Sequence, residues 1–588
     1  MILLPDIFKP FTMKKKLFFT FLLCAFSSSI FAQWVSPGNG TIYTFPILET
    51  ITNGIVTEGA GGYDVNQDLT ISANDVLYLS GDINVNVLNN VLITINGSLQ
   101  SDSLSKNHFL GKDNGYFNLC FDNATDCDVR ADFTRTGGIK IIESDVIFNG
   151  CDFTHSNTQF TSGAVNYFNC NPVFINCNFI ENEGAAISSG ANIMGSPKIM
   201  NCTFTNNVTI NENQPQINLG PGAEDTIYIV GNTITGQYDM SGGIAIANLM
   251  NTGATKALIK DNIVTNNRYG YTQQGNNIDA LIICNHFIDN NLETNPMNGG
   301  SGISIYGYDE TCKAKLRNNM ITGNLWGITS IYHNSIDMGT EEDWGNNAIY
   351  NNGNGGALYE LYNNSTNDVY AIGNYWGSND DNYAETVIFH QPDQAGIGLV
   401  TFEPIKKLYP FFIRCGVCSI EKNNPENIVY FDGFIDENLA SVIVDIPDEY
   451  YNNLQYYNVL RYEVETGVTG NPNSNTEITE DLNITLATPH GEASEWQLII
   501  RSGTSTLEKD EMSITAFPNP VENGVLRIQN AIGERGEVSI YNSVGQLIYS
   551  VVIENKEVEI STLNWKSGIY FLKMSNGNQS TTQKIIVK

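Results

Sequence analysis

The side chains able to do chemistry are spread thinly over the 588 residues. Glycoside cleavage needs two carboxylates on one face at a set separation. Asp380-Asp381 is the only adjacent pair of aspartates, and neighbours in a strand point to opposite faces, so a turn is its natural place. The six histidines (His108, His155, His286, His333, His390 and His490) lie far apart and read as solvated or hydrogen-bonded side chains. Neither a Ser/His/Asp order nor a phosphate-binding glycine loop is present. Cys415 and Cys418 have the spacing of a redox or metal pair, but no second pair or nearby His completes a zinc site. A local disulfide or two free thiols is the plainer expectation. Asp64, Asn66, Asp68 and Asp75 take the first, third, fifth and twelfth positions of an EF-type calcium loop, with Leu69 where glycine is wanted. The stretch from Asp68 to Ile71 equally fits a strand, so calcium is the one cofactor left open and none is required. Asp122, Asp126, Asp128 and Asp132 gather around Cys120 and Cys127 and read as a solvated loop that a disulfide between those cysteines can close. Sugar faces stack on exposed rings, and Trp326, Tyr332, Trp344, Tyr350, Tyr359, Tyr362 and Tyr375 concentrate near the end of the repeats described next. Trp326, Trp344, Tyr350, Tyr359 and Tyr375 are the ligand-binding candidates. With 30 Lys plus Arg against 63 Asp plus Glu and a net charge of −33, a nucleic-acid partner and a polybasic membrane-surface role are both excluded.

The elements that must position these groups follow from a repeat. A triplet of Cys or Asn, any residue and a large apolar residue begins at Cys151, Cys177, Cys202, Asn232, Asn262, Asn285, Asn319, Asn347 and Asn374, at intervals of 23 to 34 residues. A second anchor, glycine before a small or branched apolar residue, falls between most of them, as at Gly163-Ala164 and Gly243-Ile244. Such periods mean a solenoid, a propeller or a helical array. Asn, Gly, Thr and Ile dominate the units and no 3.6-residue stripe runs through them, which removes helices. Propeller blades are longer. The remaining solution is a coil of short parallel strands, wound right-handed by the crossover rule. In it each inward Asn sits over its counterpart one coil earlier, and the two amides pair as donor and acceptor. Cys at the first three positions is a small filler of the same row.

Before the repeat, Met13-Lys14-Lys15-Lys16, the apolar run from Leu17 to Phe26 and the small residue Ala32 form a signal peptide over residues 1–32, with Met13 the expected start. No other segment is long and apolar enough to span a bilayer. We assign residues 33–130 to an N-terminal cap and first coils, 131–404 to the repeats, 405–512 to a β-rich spacer and 513–588 to a compact antiparallel sandwich of about seven strands. The fold class is all-β.

The repeats resemble the right-handed parallel β-helix family that includes the pectate-lyase-like proteins. For a chain already read as acidic and exported, that resemblance invites a lyase or hydrolase reading. Lyases of this kind abstract a proton with a basic residue beside a calcium-neutralised uronate. Lys198, Lys256, Lys260, Lys313, Lys315 and Arg317 are available, but no carboxylate cluster recurs beside them at coil spacing, and the Gly-His-Gly motif of polygalacturonases is absent. Residues 513–588 resemble the C-terminal sorting domain of the type IX secretion system of Bacteroidetes, through Pro518-Asn519-Pro520, the Gly545 turn, Gly568-Ile569-Tyr570 and the basic end from Lys584 to Lys588. This second resemblance implies contact with the type IX machinery, passage through the outer membrane and delivery to the cell surface or medium. The functional expectation is an adhesin-like or glycan-binding surface protein, facing an extracellular glycan or a host or cell surface. The alternative is a polysaccharide lyase or glycoside hydrolase, and the missing catalytic set weighs against it.

Overall fold

The computed structural model describes residues 33–407 except 60, 103–105 and 224, and, between 413 and 587, the strands of the second unit with a few residues beside them. The signal segment 1–32 lies outside the described residues. The chain divides into two compact units, residues 1–410 and 411–588.

The first unit is a parallel β-helix with three faces. One coil reads Ala185–Ser188 on the first face, Lys198–Met200 on the second and Thr203–Thr205 on the third; the next reads Gln214–Leu219, Thr226–Val230 and Thr233–Thr235. Strands of the first two faces form a sheet of 26 strands, and the third face forms a sheet of 13. Within a face the coils stack parallel and in register. On the first face Val165, Ile187, Ile217, Ile244, Tyr271, Ile303, Ile328 and Leu361 follow one another. On the third, Phe133, Phe153, Phe179, Phe204, Ile234, Val264, Phe287, Ile321 and Ile349 do the same. All of them are buried. Strands this short stay in place because a one-residue slip would turn each apolar row outward. The phenylalanines stack at nearly the strand spacing, with ring centroids 5.5 Å apart for Phe133 and Phe153, 4.6 Å for Phe153 and Phe179, and 4.8 Å for Phe179 and Phe204.

The corner between the second and third faces is made by one residue in the left-handed region followed by one inward Cys or Asn. Asn176, Asn201, Asp261, Asn318 and Asn346 take this conformation just before Cys177, Cys202, Asn262, Asn319 and Asn347, and Gly231 and Gly373 do so before Asn232 and Asn374. Asn, Asp and Gly are the residues that tolerate it at least cost; Cys284, before Asn285, is the exception.

The ends are closed by short helices. Phe45–Ile51 buries Phe45 and Leu48 against the first coils, next to an antiparallel hairpin of Val56–Gly59 and Gly62–Val65. Asp381–Val387 covers the last coil, and Asp380 caps it by accepting from the Asn382 N–H at 3.0 Å. The Asp380-Asp381 pair is therefore the start of a helix.

In the second unit, residues 413–502 form a four-stranded and a five-stranded sheet. Cys415 and Cys418 lie on the single strand Ile413–Ser419. Their side chains lie outside the described residues. Seven antiparallel strands between Ile514–Phe517 and Ser580–Val587 form two sheets of three and four around Leu526, Ile528, Val538, Ile540, Ile560 and Leu572.

Candidate functional site

The polar interior comes first, because it shows which polar groups are already in use. At the corner between the second and third faces, Asn232, Asn262, Asn285, Asn319, Asn347 and Asn374 form one chain of amides. Each Nδ2 donates to the next Oδ1 at 2.8–3.0 Å. Each Oδ1 also accepts a backbone N–H of the coil before, as from Asn262 N to Asn285 Oδ1 at 3.0 Å. Cys202 N donates to Asn232 Oδ1 at 2.8 Å, which carries the row into Cys202, Cys177 and Cys151. These cysteines are buried and unbridged. Burial pushes the Cys151 thiol up, and contact with Cys177 together with burial does the same to Cys202. Cys120 and Cys127 are likewise free, with burial pushing both thiols up to about 11, so no disulfide closes that loop.

Sequence reading missed a second amide row at the corner between the third and first faces. It runs from Asn182 through Asn207, Gln216, Asn267, Asn290 and Asn324 to Asn352, with side-chain hydrogen bonds of 2.7–3.2 Å. One coil lacks an Asn at this corner, and Gln216 on the first face spans the gap between Asn207 and Asn267. The row ends on Glu360, whose carboxylate accepts from Asn352 Nδ2 at 2.6 Å. Glu360 is fully buried, and burial lifts its carboxyl to about 8 although the Asn352 side chain and the Asn351 and Asn352 N–H groups pull it down. The signal was present: Asn182, Asn207, Asn267, Asn290, Asn324 and Asn352 each stand five residues after a member of the first row.

The four calcium candidates do not converge. Asp64 pairs with Lys112 at 2.6 Å and accepts from Asn86 at 3.0 Å, while Asp68 accepts the Leu92 N–H at 2.8 Å. Asn66 donates to the Gly54 carbonyl and to Thr57 Oγ1. Asp75 is buried and accepts the N–H groups of Gly38, Gly40 and Thr41 at 2.7–2.9 Å. Burial opposes its charge, but Ser36 and these N–H groups hold the carboxyl below the usual range. The stretch that matches an EF-type loop in sequence holds the strands Gly62–Val65 and Leu69–Ile71 and a backbone-capped carboxylate at Asp75. Among the described residues no three His, Cys, Asp or Glu side chains are placed to share a metal ion.

One charged cluster does assemble outside the third face. Lys106 Nζ lies 2.5 Å from Asp132 and 3.0 Å from Asp152, His108 Nδ1 lies 2.8 Å from Asp132, and Asn178 donates to Asp152 at 2.7 Å. Asp132 and Asp152 occupy the same register position of neighbouring coils, each just before a stacked Phe. Burial and the Asp152 charge lift Asp132 above the usual carboxylate range despite Lys106; against burial, Asn178 and Lys106 hold Asp152 below it. A second cluster packs the guanidinium of Arg317 against Asp337 and Asp343 at 2.8–2.9 Å, with Lys315 2.7 Å from Asp343. Carboxylates therefore do gather beside basic residues at coil spacing, contrary to the sequence reading.

The aromatic candidates divide. Tyr350 is 1% exposed and Tyr375 is 0% exposed, so neither ring is open to a ligand. The closing segment continues the third face there: Tyr375 bridges Ala348 in parallel, and Gly377 approaches Tyr350. Trp344 is partly exposed and lies over Gly373, where a Cβ would come 2.5 Å from the ring. Trp326 and Tyr359 are half-buried and belong to a band with Tyr362 and Phe389 over the last coils. Trp326 is 4.8 Å from both Tyr359 and Tyr362, and Tyr362 stacks on Phe389 at 4.6 Å. Trp326 Nε1 donates to the Pro296 carbonyl at 2.9 Å. Tyr332 lies apart, edge-on to Tyr306, which also meets Tyr308.

Beside the band runs a groove lined by Leu358, Tyr359, Tyr383, Glu385, Phe389 and Asp393 among others. Its two carboxylates are anchored by His390, which is 2% exposed. Val400 N donates to His390 Nδ1 at 3.0 Å, so the imidazole proton sits on Nε2, 3.3 Å from Glu385 Oε1. The His390 N–H donates to Asp393 Oδ2 at 3.0 Å. Half-exposed rings next to fixed acceptors can stack a sugar face and bind its hydroxyls.

Residues 515–588 match the family described as secretion system C-terminal sorting domain. Residues 272–382 match one described as protein of unknown function (DUF1565). No curated protein matches the chain. Seven solved chains match, among them the crystal structure of the periplasmic alginate epimerase AlgG, at 9% identity and a TM-score of 0.38 over 62% of this chain and 83% of that one. The chain thus carries a type IX sorting domain, which directs it to the surface or the medium through the secretion machinery. Of its sorting residues, Tyr570 is buried and its hydroxyl donates to the Lys566 carbonyl at 2.8 Å, while Gly568 and Lys584 lie on the last two strands. Pro518, Asn519, Pro520, Gly545 and Lys588 lie outside the described residues. Among the described residues no helix is long and apolar enough to cross a membrane.

Proposed function

We propose that this chain is a surface-directed, adhesin-like β-helix protein that binds extracellular glycan along the last coils of the solenoid. The observation that carries this reading is the half-exposed band of Trp326, Tyr359, Tyr362 and Phe389, whose rings touch across successive coils and of which Tyr359 and Phe389 line a groove. Rings buried deeper serve packing; rings held half-open at a groove mark recognition surfaces. The test is glycan-array binding by the full chain, run beside an assay for unsaturated uronate and for released reducing ends. Retention without turnover is the expected outcome.

A second reading, glycan cleavage, is favoured by one observation: His108 is half-exposed and its Nδ1 is paired with Asp132, an orientation that suits a general base. Every Asp132 and Asp152 oxygen in that cluster already has a partner, which fits a staple across three coils better. Product formation abolished by His108→Ala would replace the binding reading with this one.

A further inference from the structure

The second face of the solenoid turns apolar side chains outward. Ile147, Val173, Lys198, Tyr228, Leu258 and Leu281 form one outward row, each in register with the next. The row beside it holds Ile175, Met200, Val230 and Ile283, with Lys260 among them. All are half-buried or exposed, Ile147 at 41% and Leu281 at 37%. The third face differs, for its outward row of the same coils holds Asp152, Asn178, Thr203 and Thr233. Single exposed apolar residues need no explanation, but a continuous patch of them on an open sheet marks a contact surface.

The first row is also self-complementary. Asp128 stands one coil before Ile147, and Lys315 stands one coil after Leu281. A two-fold axis along the strands, between the coils of Lys198 and Tyr228, lays a second copy on this face with coil order reversed. Asp128 then meets Lys315 of the second copy, Ile147 meets Leu281, and Val173 meets Leu258. Lys198 meets the Tyr228 ring, a contact it already makes within one chain at 5.7 Å. Asp126 and Lys313, each two residues earlier, meet likewise, and both are exposed; this matters because Lys315 is shared with Asp343 at 2.7 Å. Asp145 meets Asp279 at the rim, with Lys313 beside Asp279 in the next coil. A net charge of −33 opposes pairing through acidic surfaces, whereas opposite charges at the two ends of this face favour it and fix its register.

We propose that the second face is the contact surface of a homodimer, two copies packed sheet to sheet with their coils in opposite order. Eight coils at about 4.8 Å, with strands about 15 Å wide, outline a face of roughly 500 Å². Specific pairs bury about 600 Å² or more on each partner, so corner side chains join the contact and the dimer is weak, on the order of micromolar.

The experiment is sedimentation velocity of the full chain from about 1 to about 200 µM, with carbodiimide crosslinking read by mass spectrometry. We expect a concentration-dependent dimer, and links from Asp126 or Asp128 to Lys313 or Lys315. Within one chain these groups are about 34 Å apart, seven coil spacings, so such a link joins two copies. Val173→Glu should weaken the dimer by more than about tenfold. Leu281→Glu, at a more exposed position, should do the same, and matched thermal melts separate loss of contact from loss of the fold. A monomer throughout the range would overturn the proposal. So would a dimer that lacks these links and is indifferent to both substitutions in folded variants.

Discussion

Glu360 carries its proton deep in the last coils, and the sign of its effect on stability follows. Burial lifts the carboxyl to about 8 against an ordinary value of 4.5. A raised folded value means that its contribution is complete below the ordinary carboxylate range and is lost as pH rises towards 8. We expect resistance to denaturant to decline between about pH 5 and 8. Glu360→Gln, which keeps an acceptor for Asn352, should remove that slope and exceed the parent at pH 8 by roughly 2–4 kcal/mol. A parent and variant with the same slope would place the titration elsewhere. Asn285 makes the matching case without charge. It accepts from the side chain and the N–H of Asn262 and donates to Asn319, so Asn285→Leu should cost about 1–3 kcal/mol in urea unfolding. The first amide row was legible because each Asn precedes a strand residue of fixed type. The second was present only as a spacing, five residues after the first, because an Asn after a strand looks like any turn residue until the coil closes. Tyr350 and Tyr375 misled for a similar reason: periodicity places a ring on a face, but only the closing segment determines whether that face is covered.

At the scale of elements, the first coils test the calcium alternative. Asp64 already has Lys112 as its counter-charge, and Asp68 and Asp75 are taken up by backbone N–H groups. Calcium should therefore leave the melting temperature unchanged. A gain that Asp64→Ala removes would restore the loop. The same coils show how a staple forms without a sequence motif. Asp132 and Asp152 are 20 residues apart, yet one coil of parallel strand sets them side by side, and Lys106 from the coil before closes over both. Spacing alone hid this pair, since coil length varies; the Asp-Phe dipeptide in both strands is what aligns it. Gln216 is the other device of this scale. Its side chain ties Asn207 to Asn267 across the coil that has no Asn of its own. Gln216→Ala should strand both amides at once, at a cost of about 2–4 kcal/mol.

For the whole molecule, export and folding are separable. Coils of a solenoid rest on their neighbours, so removing residues 513–588 should leave the β-helix folded while stopping the protein in the periplasm of a type IX-competent host. Fractionation reads this directly, and surface delivery of the shortened chain would contradict the sorting role. The outline of the solenoid could be foreseen because turn residue, inward amide and apolar row recur together; the groove could not, because it is made by the end of the repeat. The paired amide rows have one more consequence. Cutting out residues 262–284 would bring Asn232 onto Asn285 in one row and Gln216 onto Asn290 in the other, with both rows unbroken. A scaffold whose interior rejoins after such a cut behaves as a ruler with removable graduations. Its length can drift by whole coils over generations, while the aromatic end keeps its form and merely stands nearer to or farther from the first coil.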